Sequence, residues 1–276
     1  MFTKTADTFT NHPIHKEWFV STPPVGEWAR RFYREYAGIK NDEELKEHLI
    51  EIRSLAWEVE KYRCIASFYF VNYCLMETYG KDWYAGIVER IRGGDLMLDL
   101  GCAFGHTARN LVYDGAPYEN IISGDLRQEF WDLGFKLFRD KESFHGQFRQ
   151  GDIFDEKYLE DFNGKIDIIH ISAVFHLFDI PIQKTLARRL CQMVSSKPGT
   201  TIFGRNAGGS VPELLTHSSR PGAGIYIHSE ASFRELIEEC VSGSWDVKTW
   251  SVPRKENAVA ENGKVKGVMC FILTRL

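Results

Sequence analysis

The sequence predicts an α/β protein with a doubly wound, mostly parallel sheet of seven strands. First, from about residue 95 onward, apolar segments of strand length alternate with segments of helical periodicity. Second, the run Leu96–Leu100 is mainly apolar and is followed by glycines and a helix-competent segment, as in a buried parallel strand. Third, the last two apolar segments have no helical pattern between them, which predicts an antiparallel pair at one edge.

The first 92 residues are predicted to form an N-terminal arm and a helical segment, separate from a sheet domain at 93–276. Pro23 and Pro24 end the arm because they exclude a regular helix. A cap at Asn41 or Asp42 starts a longer amphipathic helix. Residues 62–79 are rich in aromatic side chains, which indicates either a helix packed in a core or dimer interface, or an aromatic lid over a ligand.

The sheet domain is predicted to contain strands at 96–100, 120–124, 148–153, 165–173, 200–203, 245–252 and 268–274. Helices are predicted at 106–113, 129–138, 181–193 and 229–240. The glycine-rich interval 204–224 is predicted to be irregular, and such long loops in compact domains are usually functional or mobile. A charged loop is predicted at 253–266.

Composition excludes several classes of function. The net charge of -4 disfavours a nucleic-acid or anionic-membrane binder, which should be basic. No apolar run has the length of a membrane span, and no apolar segment marks a secretory signal at the N-terminus. The six cysteines have no zinc-ligand spacing, so we expect reduced thiols, a cytoplasmic protein and no metal site.

The glycine turn indicates the type of cofactor. A dinucleotide motif beginning at Gly101 would require glycine at 103 and glycine or alanine at 106, where this chain has Ala103 and His106. A phosphate-binding P-loop motif is also absent from the sequence. An acid, Asp125, ends the second predicted strand, and the third ends at Gly-Asp-Ile 151–153. This ordered set resembles the class I S-adenosylmethionine-dependent methyltransferases, which have a Rossmann-like fold.

The resemblance implies S-adenosylmethionine as cofactor. It places the methionine part over the first glycine turn, the ribose hydroxyls on Asp125 and the adenine near Asp152. Aromatic faces suit the sulfonium cation. The cofactor-binding residues implied are Tyr62, Asp99, Gly101, Gly105, Gly124, Asp125, Leu126, Gly151, Asp152 and Ile153.

Further motifs resemble a narrower family, the small fungal methyltransferases that include the carboxyl methyltransferases of meroterpenoid pathways (austinol- and andrastin-type). They are Leu98-Asp-Leu-Gly-Cys-x-Phe-Gly105, Asp132-Leu-Gly-Phe-x-Leu-Phe-Arg-Asp140, His176-Leu-Phe-Asp179 and Phe203-Gly-Arg205. The resemblance covers most of residues 20–245. At His106 and Arg63 this chain differs from the residues expected in that family. The resemblance implies a homodimeric enzyme with a hydrophobic substrate, a farnesylated aromatic polyketide acid. The enzyme would form a methyl ester on the carboxyl group of this acid.

His176 and Arg205 follow the fourth and fifth predicted strands, at the edge where such sheets bind ligands, and are the candidate catalytic residues. His170 is predicted to be structural, and Ser172 lacks the motif of a nucleophile. The candidate substrate-binding residues are Tyr69, Tyr73, Phe175 and His106. Alternatives left open are a phenol O- or N-methyltransferase, and a scaffold that binds the cofactor without transferring methyl.

Overall fold

The computed structural model describes residues 18–216, 224–253 and 266–276, which form two compact units. The helical unit contains the described residues up to Gly86, with Ala103–Asp114 and Gln128–His145. The sheet unit contains Ile87–Cys102, Gly115–Arg127 and the described residues from Gly146 onward. Most of the predicted arm and of the loop at 253–266 lies outside the described residues. The predicted boundary between 92 and 93 stays a prediction.

Nine α-helices and nine strands occur within the ranges that the structure describes, together with short 3₁₀ helices. The helices are α1 Glu27–Glu35, α2 Asp42–Val59, α3 Arg63–Ala66, α4 Leu75–Tyr79, α5 Lys81–Arg92, α6 His106–Tyr113, α7 Gln128–Phe138, α8 Ile180–Met193 and α9 Glu230–Cys240. The strands are β1 Met97–Leu100, β2 Ile121–Asp125, β3 Gln147–Gln150, β4 Ile168–Ile171, β5 Thr201–Gly209, β6 Glu213–Thr216, β7 Gly224–Ile227, β8 Trp245–Pro253 and β9 Lys266–Arg275.

Helix α2 begins where its cap predicts. The side chain of Asn41 accepts a hydrogen bond from the amide of Glu44 at 2.9 Å, and the first turn of the helix carries three acids that complement its dipole. Leu45, Leu49 and Ile52 are buried along one face at helical spacing. The capping and the amphipathic pattern of this helix are therefore both confirmed.

The aromatic segment at 62–79 is not one helix. It contains α3 and α4, separated by turns in which Phe68 has a positive φ of 56°. Phe68 is fully buried, and the guanidinium of Arg53 lies 4.2 Å from the centre of its ring. Burial of this ring offsets the backbone strain of a left-handed aromatic residue, which local sequence preference does not predict.

The main sheet has the strand order β3-β2-β1-β4-β5-β9-β8. β1 to β5 pair in parallel, and β9 pairs antiparallel with both β5 and β8. This confirms the predicted seven-stranded, mostly parallel α/β sheet with an antiparallel edge pair. The strand order reverses between β1 and β4, so the carboxyl ends of these two strands border the crevice where sheets of this kind bind ligands.

The two faces of the sheet differ in chemistry. In the register of β2, β1, β4 and β5, Ser123, Asp99, His170 and Phe203 are successive partners and therefore share one face. Their sequence neighbours, such as Leu98, share the opposite face. That face belongs to an apolar core, whose members include Leu98, Leu100, Ile169, Ile171, Ile202, Phe175, Leu186 and Phe233.

The prediction of an irregular interval at 204–224 is wrong for much of its length. β5 continues to Gly209 in unbroken pairing with β9, and β6 pairs with β7 as a separate two-stranded sheet. A Cβ on Gly204 would lie 1.7 Å from the carbonyl oxygen of Ile171, and one on Gly208 would lie 2.6 Å from Cβ of Met269. These glycines permit close packing within the sheet, which composition alone cannot distinguish from loop flexibility.

Candidate functional site

The turn after β1 brings the backbone of Gly101 to the carboxyl edge of the sheet. Gly101 has φ of 71°, and its amide donates to the carbonyl of Gly124 at 2.8 Å. A Cβ at this position would lie 2.6 Å from Cγ2 of Val174. Both the left-handed backbone and the contact require glycine. The turn therefore presents backbone, as expected under a bound cofactor.

The acids that end β2 and follow β3 have the same local geometry. Asp125 accepts a hydrogen bond from the amide of Arg127 at 2.9 Å, and Asp152 accepts one from the amide of Phe154 at 2.9 Å. Each carboxylate is thus oriented by the backbone two residues further on. The amide of Gly151 donates to the carbonyl of Asp125 at 3.0 Å, which joins the two turns. The predicted contacts of these acids with ribose and adenine stay predictions.

Two side chains next to these acids differ in exposure. Leu126 is 52% exposed, whereas Ile153 is buried in the apolar core. An exposed leucine beside the ribose-binding candidate Asp125 offers an apolar surface to a planar base. Ile153 packs in the apolar core next to the turn after β3, and its contact with adenine stays a prediction.

Tyr158 packs against both turns, and the sequence analysis missed it. A Cβ on Gly124 would lie 2.5 Å from its hydroxyl, and a Cβ on Gly151 would overlap its ring. The hydroxyl donates to the carbonyl of Arg149 at 2.7 Å, and burial raises the pKa of the phenol. Tyr158 therefore packs under both turns, and glycine at 124 and 151 makes room for it. Only its proximity to Gly151 in the sequence could have pointed to it.

A chain of hydrogen bonds crosses the polar face of the sheet at β1, β4 and β5. Nδ1 of His170 lies 2.6 Å from Oδ1 of Asp99, and Nε2 of His170 lies 2.8 Å from Oγ of Ser172. The amide of Arg205 donates to the same Oγ at 3.1 Å. The second oxygen of Asp99 is buried and has no protein partner. A buried carboxylate oxygen of this kind suits a cationic ligand, and S-adenosylmethionine carries an ammonium and a sulfonium group.

The candidate His176 lies in a short 3₁₀ helix, Phe175–Leu177, beyond β4. Its Nδ1 is 3.4 Å from Oδ1 of Asn206 and accepts from the amide of Ala207 at 3.4 Å. Side chains alternate along β5, so Asn206 and Arg205 project from opposite faces of the strand. The structure therefore brings the backbone near Arg205 to His176 but places their side chains on different faces.

Phe175 is an apolar core residue. It is 1% exposed, and its ring centre lies 5.4 Å from that of Phe233 and 6.2 Å from that of Phe271. Its predicted contact with substrate stays a prediction.

A buried amide that the sequence analysis also missed holds this region together. Nε2 of Gln183 donates to the carbonyls of Phe178 and Tyr226 at 3.0 Å each, and its Oε1 lies 3.0 Å from Nε2 of His228. Burial lowers the pKa of His228 to about 4. Gln183 on α8 thereby fixes the segment after His176 against β7.

The remaining predicted residues lie in the helical unit. Gly105 precedes α6 with φ of 70°, and a Cβ there would lie 2.6 Å from a guanidinium nitrogen of Arg109. The ring centre of Tyr62 is 6.3 Å from that of Phe130, Tyr69 is 41% exposed, and the carbonyl of Tyr73 accepts from the side chain of Asn110 at 3.3 Å. The predicted residues thus divide between the two units, and a single site formed from both sets stays a prediction.

His106 lies at the start of α6 in an aromatic cluster. The centre of its ring is 4.9 Å from that of Phe138, 5.7 Å from that of Phe104 and 6.2 Å from that of Phe70. Its Nε2 is buried without a protein partner. Burial, with a smaller contribution from Arg109, lowers the pKa of the imidazole from 6.5 to about 3. His106 is therefore neutral at physiological pH and can offer a neutral donor or acceptor to a ligand.

We expect His106→Phe to reduce the dependence of stability on pH. Because the folded-state pKa of His106 is below 6.5, the unfolded chain takes up the proton first, so stability is full above pH 6.5 and is lost as pH falls toward 3. The cost at pH 5 is about 2 kcal/mol, at about 1.4 kcal/mol per pKa unit. The variant should therefore be close to the parent at pH 7.5 and about 2 kcal/mol more stable at pH 5 in urea unfolding.

The comparison of the parent with His106→Phe at both pH values provides the control for this experiment. In His106→Phe, a residual loss of stability toward pH 4 is expected from His228. Equal stability differences between the variant and the parent at both pH values would show that His106 is not held neutral in the folded state.

The N-terminal part of the chain matches a family model described as "Meroterpenoid methyltransferase N-terminal domain" over residues 18–71. O-methyltransferase atr3 of Stereocaulon alpinum is 32% identical over 251 residues, which are 90% of this chain and 70% of that protein. Methyltransferase ausD of Aspergillus calidoustus is 37% identical over 202 residues, 71% of this chain and 70% of that protein. Asnovolin E/Chermesin D methyltransferase nvfJ of Aspergillus novofumigatus is 30% identical over 257 residues, 91% and 90% of the two chains.

A solved structure shares the fold at low sequence identity. It is the 1,6-didemethyltoxoflavin-N1-methyltransferase of Burkholderia thailandensis, with a TM-score of 0.53, 12% identity and 93% coverage of both chains. This likeness agrees with the class I methyltransferase topology of the sheet. The chain matches these relatives over most of their own length, and the carboxyl edge of its sheet carries the expected turns and acids. The chain therefore belongs to the family of S-adenosylmethionine-dependent fungal meroterpenoid methyltransferases.

Proposed function

We propose that this methyltransferase forms a methyl ester on the carboxyl group of a farnesylated aromatic polyketide acid in meroterpenoid biosynthesis. The observation that carries the proposal is the position of Arg205. It follows the parallel part of β5 and lies on the same sheet face as Asp99 and His170. A guanidinium at this edge provides the planar pair of donors that recognises a carboxylate.

The chemistry requires little acid–base catalysis. The bound cofactor supplies an electrophilic methyl group. A carboxylic acid acceptor is already ionised at neutral pH, so no residue has to remove a proton from it. Arg205 would orient the carboxylate, while Asp99, Asp125 and the turn at Gly101 would hold the cofactor. Catalysis then comes from alignment of the reacting groups and exclusion of water.

The proposal keeps His176 as the second candidate catalytic residue. Its Nδ1 lies 3.4 Å from the amide of Ala207, a donor, and 3.4 Å from Oδ1 of Asn206, an acceptor, so the two contacts require opposite tautomers of the ring. A phenol acceptor would need a base, whereas a carboxylate needs none. His176 would therefore act as a base only if the acceptor were a phenol.

Other parts of the predicted function remain proposals. The relative from Aspergillus novofumigatus is named for its action on asnovolin E and chermesin D, which supports a small-molecule acceptor here. We keep the proposal that residues 1–92 form a lid and a dimer interface. Among the described residues, no helix is long and apolar enough to cross a membrane. The cytoplasmic location stays an expectation.

The proposal is tested with methyl-labelled S-adenosylmethionine and a panel of prenylated aromatic acids, together with their methyl esters and phenol analogues. We expect label in a product that releases methanol in alkali. Label in an alkali-stable ether or amine contradicts the proposal.

Arg205→Ala should lower the rate about 10- to 100-fold, as expected for loss of a charge-assisted contact. Its affinity for the cofactor should stay within about twofold of the parent. Arg205→Lys keeps the charge but not the planar pair of donors, so its rate should lie between those of the parent and Arg205→Ala. Arg188→Ala, on the exposed side of α8, is the control and should be fully active. An unchanged rate in Arg205→Ala removes this residue from the site.

A further inference from the structure

The chain of hydrogen bonds between Arg205 and Asp99 has a definite direction. A carboxylate only accepts, so Nδ1 of His170 must carry the proton that it shares with Asp99. In the neutral ring Nε2 then accepts, and the hydroxyl of Ser172 donates to it. Oγ of Ser172 in turn accepts from the amide of Arg205. Every donor therefore points along the chain toward Asp99.

Hydrogen bonds aligned in this way polarise one another, and the effect is greatest where water is excluded. Asp99 and His170 are 1% and 3% exposed. The chain of hydrogen bonds fixes the rotation of the Asp99 carboxyl group. It thereby determines where the second oxygen, Oδ2, lies, and that oxygen is buried without a protein partner.

We infer that His170 and Ser172 are positioning residues for the cofactor, because they hold Asp99 so that Oδ2 receives the cationic part of S-adenosylmethionine. The Asp–His–Ser order resembles that of serine hydrolases, but here the Ser172 hydroxyl donates inward and its oxygen accepts from backbone. The inference depends on the cofactor of the family and not on the acceptor proposed above.

Two substitutions of His170 separate the hydrogen bonds made by its two ring nitrogens. His170→Asn places an amide donor near the position of Nδ1, so it keeps the contact with Asp99 and loses the one with Ser172. His170→Gln reaches toward the position of Nε2, so it keeps Ser172 and loses Asp99. Ser172→Ala removes the same hydrogen bond as His170→Asn does, the one between residues 170 and 172.

The test is calorimetric binding of S-adenosylmethionine and S-adenosylhomocysteine to the full chain. We expect about tenfold weaker binding in Ser172→Ala and a similar loss in His170→Asn. His170→Gln should bind about 100-fold more weakly, because Asp99 loses its partner. In turnover assays, KM for the cofactor should rise by the same factors while kcat at saturation stays within about twofold.

Ser195→Ala is the matched control. Oγ of Ser195 donates to Oδ1 of Asp167 at 2.7 Å, also buried, before the amino end of β4. Its removal should lower thermal stability as much as Ser172→Ala does, with cofactor affinity unchanged. If the Ser172 and His170 variants bind cofactor as the parent does, while losing stability like Ser195→Ala, the chain is only structural and the inference is wrong.

If His170→Gln does not fold, Ser172→Ala and His170→Asn still decide the matter. Methyl transfer to a phenol or an amine would contradict the proposed ester chemistry and leave the order of cofactor affinities unaffected.

Discussion

Asp125→Ala is expected to weaken binding of S-adenosylhomocysteine by about 100-fold or more. A carboxylate at this position can accept from both ribose hydroxyls, and each charge-assisted hydrogen bond contributes about 1.5–3 kcal/mol. Asp125 is already oriented for this by the amide of Arg127. Isothermal titration calorimetry at fixed ionic strength measures the change, and circular dichroism checks that the variant is folded.

Asp155 provides a matched control for that experiment. Its carboxylate accepts from the amide of Lys157 at 3.0 Å, in the same i to i+2 geometry that Asp125 has. Asp155→Ala therefore removes an equivalent turn but no predicted ligand contact, and its affinity should equal that of the parent. Asp125→Asn keeps the turn and loses the charge, so it should bind with intermediate affinity. Equal affinities for Asp125→Ala and Asp155→Ala would remove Asp125 from the cofactor site.

Arg109→Ala is expected to lower the free energy of unfolding by about 3–5 kcal/mol, the cost of leaving a buried charge without its partner. Nε and Nη2 of Arg109 bind the two oxygens of Asp140 at 2.5 and 3.1 Å, and neither side chain is more than 4% exposed. Nη1 donates to the carbonyl of Phe104 at 2.9 Å, and the hydroxyl of Tyr36 donates to Asp140 at 2.9 Å. Urea unfolding followed by tryptophan fluorescence measures the loss.

The aromatic surroundings of Arg109 add to its expected contribution. Its guanidinium carbon lies 4.3 to 5.3 Å from the centres of four rings, those of Phe144, Phe138, Phe135 and Trp131. Each such contact is attractive when water is excluded. Replacement by alanine therefore removes packing as well as charge.

A double-mutant cycle and an exposed pair complete this experiment. Arg109→Ala with Asp140→Ala should cost clearly less than the sum of the two single changes, since no unpaired charge remains. Lys136→Ala removes an exposed ion pair with Glu51 in the same unit and should cost less than about 1 kcal/mol. Additive effects of Arg109→Ala and Asp140→Ala would show that the two side chains do not interact.

The residues that the sequence located correctly are those fixed by local rules. The apolar runs predict β1, β2 and β4 because a strand covered on both faces is apolar throughout. Asn41 predicts the start of α2 because a cap acts on the amides of the next turn. Gly101 and Asp125 were placed correctly at strand ends, where the order of elements implies a ligand, and their contacts with the cofactor stay predictions.

The residues that the sequence missed depend on partners far along the chain. Arg109 is indistinguishable from a surface arginine until Asp140 is placed beside it, 31 positions later. His170 was predicted to be structural, and only the register of β1 and β4 shows that its partner is Asp99, 71 positions earlier. Tyr158 carries no motif, and only its contacts with Gly124 and Gly151 identify its role.

With the resemblance to class I methyltransferases indicating the cofactor, the sequence by itself determined the sheet class, the glycine turn and the acids at the strand ends. These follow from periodicity and chain order, which are local properties. The tertiary structure alone decided that 204–209 and 213–216 are strands, that Arg109 is buried, and that His170 and Ser172 link Arg205 to Asp99. Strand register and burial bring together residues that are distant in sequence, so the direction of that hydrogen-bond chain is a property of the folded protein only.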